Sequence, residues 1–224
     1  MNTIPQNLPI LTTETRFLYP GPAGDLEVMV SAAPANCQGI ALICHPHPLY
    51  GGTMTNKVVT TLSKSFLECK MQTLRFNFRG VGESGGSYAN GEGEADDLKT
   101  LVEWVEKANP YPQHGKPTQI WLAGFSFGSY VAMQLAQSQV FSGLVTIAPP
   151  VNHFDFQENI QLSCPWILVQ GEDDDVVPSR EVYAWVEKLK IKPELIRIEG
   201  AGHFFHGKLG ELKGLLVDSI ASRR

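Results

Sequence analysis

Residues 119–128 are Gln119-Ile120-Trp121-Leu122-Ala123-Gly124-Phe125-Ser126-Phe127-Gly128, and residues 129–136 are Ser129-Tyr130-Val131-Ala132-Met133-Gln134-Leu135-Ala136. The first five residues form an apolar run that is typical of a buried strand, and the last eight have the character of a helix. Glycines on both sides of the serine allow neighbouring backbone to pass close by, because a Cβ at either position would clash. We therefore expect Ser126 at the tip of a sharp strand-to-helix turn, where it projects from the sheet edge.

Ser126 has two interpretations at this point. A Gly-x-Ser-x-Gly sequence between a strand and a helix is a signature of a nucleophilic serine. The same residues are also compatible with a Gly/Ser-rich turn that only reverses the chain. The rest of the sequence helps to distinguish the two, because a nucleophilic serine needs a histidine and an acid, and in a parallel sheet these groups follow other strand ends.

Strand-like and helix-like segments alternate along most of the chain, which predicts an α/β fold with a mostly parallel central sheet and helices on both faces. The predicted strands cover residues 25–33, 40–44, 72–78, 119–123, 143–148, 166–170 and 194–198. The predicted helices cover residues 56–69, 94–107, 129–136, 179–189 (with Ser179 as its cap) and 207–220. Alternating polar and apolar residues indicate that 25–33 is a half-exposed edge strand. A length of 224 residues fits a single domain over residues 1–224.

Composition argues against several classes of function. A formal net charge of -5 without a long basic run argues against nucleic acid or an anionic membrane surface as the main partner. Residues 1–7 lack a signal-peptide pattern, and no apolar run approaches the ~20 residues of a membrane span. We expect a cytoplasmic protein, because the scattered cysteines favour thiols in a reducing compartment; they are Cys37, Cys44, Cys69 and Cys164.

An acidic cluster and a histidine follow two of the later predicted strands. Asp173, Asp174 and Asp175 come after strand 166–170, and His203 comes after strand 194–198. Such a histidine can take the proton of a serine hydroxyl, while a buried carboxylate orients the imidazole and stabilises its positive form. Spacing alone does not choose among the three aspartates. A solvated acidic turn and a surface-loop histidine are the simpler alternatives.

Four motifs make the chain resemble the α/β-hydrolase superfamily over nearly its whole length. They are Gly124 to Gly128, Gly171 to Pro178, Gly200 to His203, and the loop Arg79-Gly80-Val81-Gly82-Glu83-Ser84-Gly85. The order serine, aspartate, histidine is also the order found in this superfamily. The resemblance implies that the acid is the aspartate of a Gly-x-x-Asp-x-x-Val-Pro sequence. That residue is Asp174, with Asp173 and Asp175 as alternatives.

The loop from Cys44 to Met54 is similar to that of small bacterial hydrolases of the dienelactone-hydrolase-like type. Dienelactone hydrolase itself uses a cysteine nucleophile, so Ser126 argues against the dienelactone reaction. Many relatives also have His-Gly-x where this chain has His45-Pro46-His47. The resemblance implies an oxyanion hole, formed by two backbone N–H groups that bind the developing negative oxygen.

One oxyanion donor is expected from Phe127, which follows Ser126 at the start of a helix. The second is expected from the early loop. Because Pro46 and Pro48 have no N–H, alignment with His-Gly-x favours His47, with Leu49 or Tyr50 as alternatives.

We expect neither a metal nor another cofactor. His45 and His47 have the spacing of a metal pair, but prolines interleave and no third ligand motif is nearby; a local hydrogen bond is the expected role of His45. The glycine-rich loop Gly80 to Ser87 lacks the lysine of a phosphate-binding P-loop, which argues against a nucleotide.

The expected function is a serine hydrolase that cleaves short or medium carboxylic esters through an acyl-enzyme. Residues 149–164 are too few for a lid domain, so we expect an open, shallow site with apolar walls at Tyr50, Phe154 and Phe204. Phe125 and Phe127 are further wall candidates, with core packing the expected role of Phe125. The expected partner is a small-molecule ester or thioester. The same residues are compatible with a thioesterase, a peptidase, an acyl transferase, or a non-catalytic binding protein.

Overall fold

The computed structural model describes residues 13–112 and 117–223, so the expectation for residues 1–7 lies outside the described residues. Within these ranges the strands are β1 (Thr15–Gly21), β2 (Gly24–Val30), β3 (Gly39–Cys44), β4 (Met71–Phe76), β5 (Gln119–Phe125), β6 (Gly143–Ile147), β7 (Trp166–Gly171) and β8 (Glu194–Ile198). The α-helices are α1 (Lys57–Glu68), α2 (Glu92–Ala108), α3 (Phe127–Ser138), α4 (Ser179–Lys188) and α5 (Leu209–Ala221). All the predicted strands and helices are present, with boundaries shifted by up to three residues.

The strands form one sheet in the order β1-β2-β4-β3-β5-β6-β7-β8. Pairing from β4 through β8 is parallel, and β2 is antiparallel to both of its neighbours. The predicted α/β fold is therefore confirmed. The prediction that residues 25–33 form an edge strand is wrong, because β1 covers the outer side of β2. β1 has a weak sequence signal, since Phe17 is its only buried residue.

Two apolar clusters cover the two faces of the sheet. On one face, α1 and α5 pack through residues such as Phe66 and Leu212. On the other face, α2, α3 and α4 pack through residues such as Leu101, Val131 and Val182. Residues of β3 and β5 alternate between these clusters, which explains why both strands are apolar throughout.

The order in which successive strands are placed in the sheet reverses at β3. The chain leaves β3 for β4 on one side and then returns to β5 on the other. The loops after β3 and β5 therefore diverge and leave a crevice at the carboxyl ends of these strands, the usual ligand position in such sheets. Ser126 follows β5, and the loop beginning at His45 follows β3.

The segment between β6 and β7 contains no helix or strand and forms no lid. None of the helices in the described ranges combines the length and apolar character needed to cross a membrane. The prediction that Ser179 caps α4 is wrong. Pro178 occupies the N-cap position, and the Ser179 hydroxyl donates a hydrogen bond to the Glu172 carbonyl at 2.9 Å.

Candidate active site

Ser126 lies at the tight turn between β5 and α3, with φ 52° and ψ -120°. A positive φ is costly for a serine, so the surrounding backbone must hold it there. A Cβ on Gly124 would lie 2.1 Å from the Gly128 carbonyl oxygen, and a Cβ on Gly128 would lie 2.3 Å from the Cys44 carbonyl oxygen. The two glycines therefore permit the close approach that the sequence predicts, and they pack the turn against the end of β3.

The structure brings three of the predicted side chains into one hydrogen-bonded chain. The Ser126 Oγ lies 3.1 Å from His203 Nε2, and His203 Nδ1 lies 2.8 Å from Asp174 Oδ2. A carboxylate only accepts, so Nδ1 carries the proton and Nε2 is left to accept from the serine hydroxyl. All three residues are buried, which limits competition from water.

Burial separates Asp174 from its two neighbours. Asp174 is 6% exposed, whereas Asp173 and Asp175 are exposed. The backbone N–H groups of Val176 and Val177 donate to Asp174 Oδ1 at 3.0 and 2.7 Å. Because one oxygen is held by these amides and the other faces His203, the carboxylate has a fixed orientation.

Gln170, the last residue but one of β7, is a further residue of the site that was not predicted from the sequence. Its Nε2 donates to Asp174 Oδ2 at 3.1 Å and to the Val177 carbonyl at 3.2 Å. Gln170 therefore links β7 to the loop that follows it and carries Asp174, here called the acid loop. A signal was present, because Gln170 is a polar residue within a solid apolar strand. The Asp173 N–H also donates to the Ala201 carbonyl at 3.0 Å, which links the acid loop to the loop that carries His203.

Of the three early-loop amides considered as the second oxyanion donor, two already have acceptors within the protein. Leu49 N–H donates to His47 Nδ1 at 3.2 Å, and Tyr50 N–H donates to the His47 carbonyl at 3.2 Å. Within the described ranges, the N–H groups of His47 and Phe127 donate to no protein acceptor. Of the three amides that the sequence offered as second donor, only that of His47 is therefore available to a ligand.

His45 holds the early loop from beneath. Its Nδ1 donates to the Pro46 carbonyl at 2.6 Å, and its Nε2 accepts the Phe78 N–H at 3.0 Å. The first bond is the local one that the sequence predicts; the second links β3 to the loop after β4. Burial lowers the pKa of His45 to about 4, so the ring is neutral near pH 7.

A buried polar network fixes the far end of this loop. Asn77 Oδ1 accepts the Met54 N–H at 2.8 Å, and Asn77 Nδ2 donates to Glu27 Oε2 at 2.7 Å. The same Glu27 oxygen accepts the Glu83 N–H at 2.9 Å, and Arg16 pairs with the other oxygen. The Glu83 N–H of the glycine-rich loop is therefore part of an internal network that supports the early loop.

A cavity of about 730 Å³ opens above Ser126 and His203. All three predicted wall residues line it: Tyr50, Phe154 and Phe204. Phe127 lines it too, whereas Phe125 is fully buried and packs on the His203 ring at a centroid distance of 5.0 Å, as its predicted core role requires. No local sequence pattern marks several further lining residues, among them Asn56, Tyr88, Asn90, His153, Val176 and Val177.

Charge is scarce around this cavity. No Lys, Arg, Asp or Glu is among the described residues that line it. Burial also lowers the pKa of His47, with Glu94 acting in the opposite direction. Across the described ranges, no three His, Cys, Asp or Glu side chains come together as ligands for a metal ion.

Known proteins share this architecture. Residues 42–211 match the family model of the alpha/beta hydrolase domain. An alpha-beta serine hydrolase homologue from Coxiella burnetii is 46% identical, with a TM-score of 0.85 over 94% of this chain and 99% of that chain. A serine hydrolase without a lid from Xanthomonas campestris is 38% identical, with a TM-score of 0.86 over 94% of each chain. An uncharacterized protein of Rickettsia prowazekii is 35% identical over 92% of this chain and 88% of its own length.

These similarities agree with the α/β fold of this chain, and the Xanthomonas campestris protein is likewise described as lacking a lid. The family model alone covers the chain from β3 into α5. The resemblance predicted from the sequence motifs is therefore confirmed, and this chain belongs to the α/β-hydrolase family.

Proposed function

We propose that this protein is a serine hydrolase that cleaves carboxylic esters through an acyl-enzyme. The observation that carries the proposal is the hydrogen-bonded chain from Ser126 Oγ through the His203 ring to Asp174. Such a chain activates a hydroxyl that is otherwise a poor nucleophile. We also propose a cytoplasmic location, which is supported by the cysteines being thiols.

In the first half-reaction, Ser126 Oγ attacks the ester carbonyl carbon while its proton passes to His203 Nε2. Asp174 accepts from Nδ1–H and stabilises the imidazolium that forms. Collapse of the tetrahedral intermediate breaks the bond to the alkoxy oxygen, which takes the proton from Nε2 and leaves as an alcohol. In the second half-reaction, water attacks the acyl-enzyme by the same proton route and releases the carboxylic acid.

The negative oxygen of the intermediate is assigned to the N–H groups of Phe127 and His47. Neither donates to a protein acceptor in the described ranges, so both can bind a ligand oxygen. Phe127 is also the first residue of α3, where the helix dipole favours negative charge. Each such donor typically contributes about 10²–10³ in rate.

Labelling with a fluorophosphonate probe and hydrolysis of p-nitrophenyl acetate test this proposal. The wild-type protein should take up the probe, and Ser126→Ala should abolish both labelling and turnover while its circular dichroism spectrum stays unchanged. The matched control is Ser138→Ala, because Ser138 is exposed at the opposite end of α3. Labelling that survives in Ser126→Ala would identify another residue as the nucleophile.

Ester, thioester and amide cleavage use the same residues, so a second measurement must separate them. A panel with one acyl group and three leaving groups, an alcohol, a thiol and an amine, should show the highest kcat/KM for the ester. A clear preference for the thioester would reassign the protein as a thioesterase and leave the roles of the three residues unchanged. Labelling without turnover of any of the three would favour an acyl transferase.

A further inference from the structure

A continuous set of rings lines one side of the cavity. We call it the aromatic wall, and its members are His47, Tyr50, Tyr88, Phe127 and Phe154. The His47 ring contacts each of the others, with centroid distances of 4.8 Å to Tyr50, 4.9 Å to Tyr88, 5.0 Å to Phe127 and 6.1 Å to Phe154. Phe127 also has ring contacts with Tyr88 and with Phe154, so the five rings form one connected set.

The opposite side of the cavity has a different character. Val176 and Val177 are aliphatic, and Phe204 makes its ring contacts with Phe125, His203 and His206 rather than with the aromatic wall. A substrate positioned over Ser126 therefore meets the connected rings on one side, and Val176 and the separate Phe204 ring on the other. Phe204 is an aromatic lining residue outside the wall, which makes it a matched control.

The wall also lacks a counter-charge for an ionised ligand. No Lys, Arg, Asp or Glu is among the described lining residues, and the histidines there are His47, His153 and His203. Burial lowers the pKa of His47 and raises the pKa of Tyr88, and the Glu94 carboxylate acts on both in the raising direction. The two Glu94 oxygens are already occupied, because they accept the N–H groups of Ala89 and Gly91 at 2.9 and 2.8 Å. His47 Nδ1 accepts the Leu49 N–H, a bond that requires Nδ1 to be unprotonated. An ionised substrate group would therefore lose water here without gaining a Lys, Arg, Asp or Glu counter-charge.

We propose that the aromatic wall is a binding subsite for an uncharged aromatic group of the ester. The inference rests on the proposed function and adds a substrate class to it: esters with a neutral aryl group one or two carbons from the scissile bond. Rings prefer offset or edge-on contact with other rings, and this gain is additional to that from buried area. An aryl group should therefore bind better than an alkyl group of similar size.

Paired esters that differ only in the ring provide the test. For the acyl side the pair is methyl 3-phenylpropanoate and methyl 3-cyclohexylpropanoate, and for the alcohol side it is benzyl acetate and cyclohexylmethyl acetate. Acid release gives kcat/KM for each. We expect an aryl preference of about two- to tenfold in at least one pair, the size of an aromatic contact. A ratio near one in both pairs overturns the proposal.

Two variants connect the preference to the wall. Tyr88→Leu and Phe154→Leu keep apolar volume but remove a ring, and each should reduce the aryl preference towards one. Phe204→Leu, the control outside the wall, should keep the wild-type ratio. If Phe204→Leu alone removes the preference, the aryl group binds on the opposite side and the wall is not its subsite. Because two wall variants are used, poor folding of either one leaves the other to decide.

Neutrality is tested with methyl 3-(4-carboxyphenyl)propanoate. This ester should react at least several-fold more slowly than its unsubstituted parent, and an equal or faster rate would overturn the requirement for an uncharged group.

Binding of the first ester pair to Ser126→Ala can be measured by calorimetry, and this measurement does not depend on catalysis. An aryl preference in binding without turnover in the wild type would contradict the proposed function and keep the subsite. Turnover of p-nitrophenyl acetate without any aryl preference would keep the proposed function and contradict the aromatic subsite.

Discussion

The two sides of the cavity are held in different ways. On one side, Ser126, Asp174 and His203 each follow a strand of the parallel sheet, and hydrogen bonds of 2.8 and 3.1 Å join them to one another. On the other side, the loop after β3 rises from buried His45 to Tyr50, which is 87% exposed. Strand ends position the first group, whereas hydrogen bonds from distant segments position the second. Substitutions should therefore affect chemistry on the first side and oxygen binding or loop stability on the second.

The largest effect in this comparison is expected at Asp174. Asp174→Asn should lower kcat/KM for p-nitrophenyl acetate about 10⁴-fold, because an amide does not hold His203 in the tautomer that accepts the serine proton. Asp173→Asn and Asp175→Asn are matched controls that remove the same charge at exposed positions, and both should stay close to the wild-type rate. A comparable loss in either control would assign the acid role to that neighbour.

A smaller effect is expected at His47. Its φ of -52° suits a proline ring, so His47→Pro removes the N–H with little backbone strain. His47→Ala is the control that loses the same ring but keeps the N–H. We expect kcat for His47→Pro to be lower than that for His47→Ala by a factor of about 10²–10³, the usual effect of removing one oxyanion donor. Equal rates in the two variants would mean that another amide binds the oxygen.

The smallest effect on rate, but a clear one on stability, is expected at His45. Its pKa of about 4 in the folded protein lies below the ordinary value of 6.5, so only the unfolded chain takes up a proton between these values. The contribution of the neutral ring is fully present above pH 6.5 and is lost as the pH falls towards 4. The free energy of unfolding should decrease by about 1.4 kcal/mol per pH unit from this group in that window.

Urea unfolding at several pH values between about 7 and 4.5 measures this slope. His45→Gln keeps one donor and one acceptor but cannot be protonated in this range, so its slope should be shallower than that of the wild type. His206→Gln removes an exposed histidine and should leave the slope unchanged. Identical slopes in wild type and His45→Gln would show that other groups cause the pH dependence.

The predictability of the molecule follows the same division. Parallel strands such as β3 and β5 were evident from their solid apolar runs, because both of their faces are buried. β1 was missed, since a strand with one buried residue has no strong pattern. Ser126 and His203 were identifiable from the segments around them, and their roles stay predictions. Gln170 could have been noticed as a polar residue inside an apolar strand, whereas Tyr88 and His153 carry no local signal for a place in the cavity.

The sequence by itself determined the alternation of strands and helices, the turn at Ser126 and the order of serine, acid and histidine, because short-range periodicity and glycine placement encode these features. Tertiary structure decided which of three adjacent aspartates is buried against His203, which early-loop amide stays available, and which rings gather around His47. Those outcomes depend on contacts between segments far apart in the chain, such as Phe78 with His45 and Asn77 with Met54. Local residue patterns do not specify such pairings, since they form only when the sheet brings its strand ends together.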